Sequence, residues 1–487
     1  MVERTECLKS ILASFLVISS LLLHFTVLEA SEEATGGSVI LMIGDGMGSG
    51  QLSAAKISLG LEGVIFYPFP LPGEEISVTG SRLKIEGLTH GGTMTTNSIR
   101  DVSTDSAASA TAMATGFKAH NNRISILPNG TELPTVLEFA ESLGMSTGLV
   151  TTTRVTHATP AAFASHVTSR NRENEIAFQL IHSGVDVLLG GGRGHLLPQS
   201  DPDSDRFDDR DLIQEAVSLG FTYTDTRAQM LELAPDAEKL LGLFTLDHMN
   251  YEWERNPEAE PSLEEMTEIA IRILSRNPKG FFLMVEGGRI DHAGHENNMG
   301  NVIEDTLAFD EAVGVALDFV RLQGNTTLIV TADHETGGLS ILEGAIDGPP
   351  RVEWSWNGHT ANLVPVFSEG PFASLFSGLI DNTDIGKNIF RVLVSPPGGV
   401  DLEAQEQMRR LLVQIDELER QLSSTSSRLD ERDSDLESAE GDRITLEAEL
   451  ASVGEELQTT QTLAYVAATL ATALALLLLV TRLRRRA

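Results

Sequence analysis

Small residues crowd positions 104–111 (TDSAASAT), a stretch that runs on through Ala114, Thr115 and Gly116. A serine such as Ser106 at the start of a helix sets its hydroxyl beside free backbone N–H groups and the positive end of the dipole. That is a seat for a phosphoryl group. An Ala/Ser-rich helix packed closely on a sheet has the same composition, so the stretch alone leaves both readings open. Other residues with chemistry lie far away in the chain: Asp45, His157 with Thr159, Glu286, and Asp333 with His334.

The elements that must position these residues are short apolar runs at 39–43, 147–151, 185–189, 281–285 and 328–331. They alternate with helix-like stretches to about Val394, which predicts an α/β domain whose central, mostly parallel sheet is flanked by helices. Asp45 follows the first run, His157 and Thr159 follow the second, Glu286 the fourth, and Asp333 with His334 the fifth. Open parallel sheets gather ligands at the carboxyl ends of their strands, so these residues are expected to converge in one cleft.

The DSAASAT segment at 105–111 resembles the nucleophile signature of alkaline phosphatases, and other segments resemble that family's motifs in the family's order. The resemblance covers about 36–395 and implies a catalytic domain there. It assigns Ser106 as nucleophile and Arg170, in HVTSR at 166–170, as the phosphate-binding arginine. IGDGMG at 43–48 resembles the first metal-binding turn, with Asp45 shared between the second zinc and the third metal. THATP at 156–160 supplies Thr159, and VEG at 285–287 supplies Glu286, both to the third metal. Asp291, His295 and His359 fall to the first zinc, and Asp333 and His334 to the second. The implied cofactors are therefore two Zn2+ and one Mg2+, with Zn2+ or another divalent ion as the alternative at the third site. One Asp with two His, and two Asp with one His, are sound zinc sets, whereas two carboxylates with a hydroxyl suit magnesium.

The implied reaction is hydrolysis of small phosphate monoesters through a phosphoserine. Where the best-known bacterial members carry an aspartate and a lysine, this chain has His157 and His292, which together with Asp105 are candidates for contacts behind the ligands. A related phosphodiesterase and a non-catalytic binding head on a stalk are the competing readings. A sulfatase is disfavoured because the Ala-rich surroundings of Ser106 lack the Pro/Arg context which that chemistry uses.

The formal net charge of −35 over 487 residues excludes a nucleic-acid partner, since phosphate backbones would be repelled. Residues 1–30 read as a signal peptide, with Arg4 and Lys9 before an apolar run; Cys7, the only cysteine, falls inside it. From 402 to 458 the composition changes. Fifteen positions from Met408 to Leu457 advance in steps of three and four, and twelve are apolar, the exceptions being Thr425, Arg432 and Arg443. That seam predicts a coiled-coil stalk. Residues 462–480 carry no charge and precede Arg482, Arg484, Arg485 and Arg486. This pattern predicts a single transmembrane helix with a basic cytoplasmic tail at 481–487, and hence a membrane-anchored catalytic domain outside the cytoplasm. The family resemblance and a two-stranded seam both imply a homodimer.

Overall fold

The structure, a computed structural model, describes residues 37–59, 82–343 and 351–395. The signal peptide, stalk, apolar span and basic tail expected from the sequence all lie outside these residues. Among the described residues no helix is long and apolar enough to cross a membrane.

Eight strands form the first part of the chain: β1 (Ser38–Gly44), β2 (His90–Thr95), β3 (Ser146–Arg154), β4 (Val187–Gly191), β5 (Phe221–Thr224), β6 (Lys239–Leu243), β7 (Phe281–Gly287) and β8 (Thr326–Thr331). Six more follow: β9 (Glu335–Thr336), β10 (Leu339–Glu343), β11 (Arg351–Trp354), β12 (His359–Thr360), β13 (Val364–Glu369) and β14 (Gly378–Asp381). Ten of them make one sheet in the order β14-β2-β13-β8-β1-β7-β3-β4-β6-β5. All its pairs are parallel except those of β13, which runs against both β2 and β8.

The five apolar runs read from the sequence are the five central neighbours β8-β1-β7-β3-β4. Every residue of β1, β7, β8 and β4 is buried, as expected for strands covered on both faces. The run at 185–189 lies two residues early, because Val185 precedes the ladder that begins at Val187.

Helices cover the sheet. Leu263–Leu274 starts with a capping box in which Ser262 accepts from the Glu265 N–H while Glu265 accepts from the Ser262 N–H. It packs with the 25-residue helix Met299–Gln323 against the central strands. The helices Ser106–Thr115, Val136–Ser142, Ala158–Ala164 and Asn382–Leu393 pack on one another, and the last three of these also meet central strands.

Register decides where function sits. Ile43 pairs with both Glu286 and Thr331, and Thr151 pairs with Glu286, so β1, β7, β8 and β3 reach their carboxyl ends at one level.

Asp305, on the 25-residue helix, is buried and accepts a hydrogen bond from the Glu252 N–H at 3.4 Å. Burial pushes its carboxyl up to about 8. An unfolded chain ionises this group near pH 4, so the folded protein holds one proton more across the interval. The stability Asp305 contributes is therefore full below about pH 4 and is lost as pH rises through about 8. Asp305→Asn keeps the acceptor and removes the ionisation. Thermal unfolding across pH 5 to 9 is expected to show a flatter Tm profile for the variant, with its advantage over the parent largest at pH 9.

Candidate metal centre

β1 ends at Gly44 and the chain turns through Asp45 and Gly46. Gly46 has φ +71°, and a Cβ there would lie 2.8 Å from Asp291 Cα, so this turn needs glycine on two grounds. The Gly46 N–H donates to Asp333 Oδ1 at 3.1 Å and the His334 N–H donates to the same oxygen at 2.9 Å, which leaves Asp333 Oδ2 free. His334 Nε2 stands 3.1 Å from that oxygen and 3.6 Å from Asp45 Oδ1. Asp45, Asp333 and His334 form one buried cluster with ligand spacing, all three at 0 % exposure.

Asp291, His295 and His359 form a second cluster nearer the solvent, where the His295 side chain is 39 % accessible. The His295 Nδ1–H donates to the Asn357 carbonyl at 2.7 Å and the His359 Nδ1–H donates to the Thr104 carbonyl at 2.8 Å. Carbonyls only accept, so Nδ1 carries a proton in each ring and Nε2 is the nitrogen left to face the cluster. The two Nε2 atoms face each other at 3.1 Å, with Asp291 oxygens at 3.3 and 3.6 Å. Two ring nitrogens and a carboxylate aimed at one point are a donor set that fits a cation.

The third cluster is Asp45, Glu286 and His157. Thr151 and Thr153 donate their hydroxyls to Glu286 Oε2, which leaves Oε1 to face inward. Thr159, also buried, sits in the first turn of Ala158–Ala164 with an unpartnered Oγ1. His157 was expected only as a contact behind the ligands, yet the structure places it among them. Its tautomer nevertheless opposes ligation. Arg170 Nη2 donates to His157 Nε2 at 2.8 Å, and a guanidinium has no acceptor, so the imidazole proton sits on Nδ1, 3.9 Å from Glu286 Oε1. His157 cannot both accept from Arg170 and give its Nδ1 lone pair to an ion. His292 accepts from Arg289 Nη1 at 2.7 Å and joins no cluster.

Ser106 is the first residue of the helix Ser106–Thr115 and is 2 % exposed. Asp105 caps that helix by accepting from the Ala108 N–H at 3.0 Å, and its other oxygen accepts from the Asn122 N–H and, at 3.4 Å, from Arg170 Nη1. All ten helix residues are buried, and Gly386 lets the crossing helix approach Met113 and Gly116 closely. Ser106 Oγ lies 3.4 Å from His334 Nε2, and among the described residues it has no other side-chain partner. Nothing there acts as a free general base, since that imidazole nitrogen is turned toward the carboxylates of its own cluster.

The donors fit divalent cations. Among the described residues eight buried side-chain polar atoms have no hydrogen-bond partner, and six of them belong to Asp45, His157, Thr159, Glu286 and Asp333. Burial, and then the charges of Asp333, Asp291 and Glu286, push the Asp45 carboxyl well above the usual range. Burial and then Asp291 push Asp333 up to about 7. The hydrogen bond to Asp291 raises His295 to about 9, whereas burial and then His359 hold His334 far below the ordinary imidazole range, and so neutral. Buried carboxylates this crowded are tolerated only with nearby positive charge.

Fold and site together define a class: α/β proteins that gather metal-ligating clusters and a helix-borne serine on the carboxyl rim of one sheet. A family model described as alkaline phosphatase matches residues 37–349. The chain belongs to the alkaline phosphatase family, which makes it a phosphoric monoester hydrolase of a metal-dependent family. It is similar to alkaline phosphatase 3 of Bacillus subtilis, 32 % identical over 433 residues covering 73 % of this chain and 88 % of that protein. It is 37 % identical to the repressible alkaline phosphatase of Saccharomyces cerevisiae over 340 residues, which span 65 % of this chain but only 58 % of the yeast protein. Among solved structures it is similar to the alkaline phosphatase of the Antarctic bacterium TAB5, with a TM-score of 0.63 and 31 % identity over 74 % of this chain and 98 % of that one. Variants of the TAB5 enzyme are described with Mg bound in the M3 site.

The structure gathers Asp45, Glu286, Asp291, His295, Asp333, His334 and His359 into three clusters, with Ser106 beside His334, Arg170 beside His157, and the buried hydroxyl of Thr159 unpartnered. Sequence reasoning passed over Gln51, Thr151, Thr153 and Thr336. Thr336 donates to Asp291 Oδ1 at 2.5 Å and lies 3.3 Å from His334 Nδ1, linking two clusters through one hydroxyl. Its place two residues beyond His334 is the only signal the sequence offers for it.

Exhaustive chelation is expected to lower Tm by several degrees and zinc to restore it. The shift is about 5 °C, from about 4 kcal/mol of linkage at 1,000-fold excess over Kd and about 1–2 °C per kcal/mol for a domain of more than about 300 residues. A melting curve indifferent to both treatments would remove the metal reading of the three clusters.

Proposed function

We propose that the protein hydrolyses phosphate monoesters through a phosphoserine on Ser106, with two zinc ions at the clusters of Asp291, His295 and His359 and of Asp45, Asp333 and His334. The third position, with Asp45, Glu286 and Thr159, takes magnesium or another divalent ion. The observation that carries this reading is the place of Ser106. It stands at a helix N-terminus, 3.4 Å from a ligand-type histidine, with Arg170 held beside it by Asp105.

When bound, the metal ions supply the positive charge that favours the serine alkoxide and the departing oxygen. Ser106 gives up its hydroxyl proton to solvent, Oγ forms the bond to phosphorus as the bond to the alcohol oxygen breaks, and the alcohol oxygen takes a proton from water. A second water then attacks phosphorus, the Oγ–P bond breaks, inorganic phosphate departs, and the serine oxygen regains a proton. Arg170 offers a planar fork to two nonbridging oxygens of a dianionic group, which favours monoesters over diesters. Asp105 serves two ends at once, satisfying the helix terminus and aiming that guanidinium. Buried His334 stays neutral, so it contributes a lone pair and no competing positive charge.

The setting is part of the proposal. Residues 1–30 direct export, 402–458 form a coiled-coil stalk, 462–480 anchor the chain with the basic tail on the cytoplasmic side, and the catalytic domain works outside the cytoplasm as a homodimer. The apolar run with its arginine border and the heptad seam support this.

The test is hydrolysis of a simple aryl phosphate by the full chain, before and after chelation and zinc restoration, beside Ser106→Ala and a diaryl phosphate substrate. Activity is expected to require metal, to fall by at least about 10³-fold in the variant, and to favour the monoester. A zinc-loaded, folded protein that prefers the diester, or a variant with parental turnover, would overturn the proposal.

A further inference from the structure

Glu335 follows His334 directly, is 3 % exposed, and belongs to no metal cluster. Five donors converge on its carboxylate. Oε1 accepts from Gln51 Nε2 at 3.1 Å and from the Leu339 N–H at 3.2 Å. Oε2 accepts from the Gly338 N–H at 3.2 Å, from Asn362 Nδ2 at 3.3 Å and from the Thr360 hydroxyl. With its lone pairs committed in this way, the group neither ligates nor takes a proton from substrate. Yet the segments it ties together are those that carry ligands.

On one side is the turn after β1. Gln51 receives the Gly48 N–H at 3.0 Å and gives its amide to Glu335 and, at 2.7 Å, to the Thr336 carbonyl, so the loop beyond Asp45 is fastened to the Asp333–Thr336 segment. A Cβ on Gly48 would come within 2.3 Å of Glu335 Cγ, so the turn after β1 can pack this closely on the Glu335 side chain only because residue 48 is glycine. On the other side, β12 pairs antiparallel with β9, His359 opposite Thr336 and Thr360 opposite Glu335. The Thr360 hydroxyl thus fixes the residue next to His359, whose Nε2 belongs to the cluster of Asp291 and His295.

We propose that Glu335 is a positioning residue: through Gln51 and Thr360 it holds the segments carrying Asp45, His334 and His359 in one register, so that both zinc clusters depend on a single carboxylate outside them. The proposal rests on the metal reading above. Only a carboxylate supplies acceptors for five donors at one point. An amide in its place turns an N–H₂ group toward donors on one side and releases either the Gln51 link or the Thr360 link.

The experiment measures zinc affinity by competition with a chromophoric chelator, and the visible spectrum of the cobalt-substituted protein, for the full chain and for Glu335→Gln, Thr360→Val and Thr360→Ser. Glu335→Gln is expected to lose about tenfold or more in affinity at both sites. Thr360→Val is expected to lose a similar factor at the site of His359 alone, with an altered cobalt spectrum and a fall in kcat larger than any change in KM. Thr360→Ser, which keeps the hydroxyl, is expected to restore affinity and spectrum. Should Glu335→Gln not fold, the Thr360 pair decides alone. Variants that melt earlier but bind zinc with parental affinity and an unchanged cobalt spectrum would make Glu335 an ordinary turn residue and overturn the inference. A parental chain that binds no zinc would instead overturn the metal reading on which it rests.

Discussion

Four carboxylates, Asp45, Glu286, Asp291 and Asp333, are buried within reach of one another where four parallel strands end. No arrangement of uncharged groups makes that tolerable, because each carboxylate opposes the ionisation of the others. Much of the surrounding structure answers this constraint. Backbone N–H groups and threonine hydroxyls take one oxygen of Asp333 and of Glu286, backbone carbonyls lock the tautomers of His295 and His359, and the remaining lone pairs converge on three points. Those points fit cations, in an architecture whose hydrogen bonds are already spoken for.

The sheet gives this crowding its precision. Parallel register places residues from distant parts of the chain at one height, and the short pair β9 and β12 adds His359 from beyond the last central strand. Ser106 comes from a different kind of element, a helix of small side chains that neighbouring helices approach closely. The nucleophile is thus carried by helix packing and the ligands by strand ends. Asp105 and the backbone carbonyl of Thr104, which accepts from His359, join the two systems.

The central strands could be read from the sequence because they are continuous apolar runs, as full burial on both faces requires. The outer strands could not. β2 reads HGGTMT, with two glycines and a single buried apolar side chain, and β13 carries Pro365 in an alternating pattern that lacks such a run. Asp45, Glu286, Asp333 and His334 could be placed at strand ends from the sequence itself, whereas Asp291, His295 and His359 were legible only through the family resemblance. What could not be read is direction. That Glu335 receives five donors, that Thr336 spans two clusters, and that Arg170 holds His157 in the wrong tautomer for ligation all depend on which way a hydrogen bond points. Motif spacing carries no such information.

The route by which the ligands are gathered sets the order of events during synthesis. The centre draws on Asp45 near the beginning of the domain and on His359 near its end, so most of the domain must be made before its donors can meet. Until then Asp45 and Asp333 lack their full set of partners, and contacts of such long sequence separation form late in folding. The finished ion-binding geometry is therefore a marker of completed folding: a chain stalled or cut short before the strand at 359–360 cannot assemble it, however well the residues before that strand are arranged.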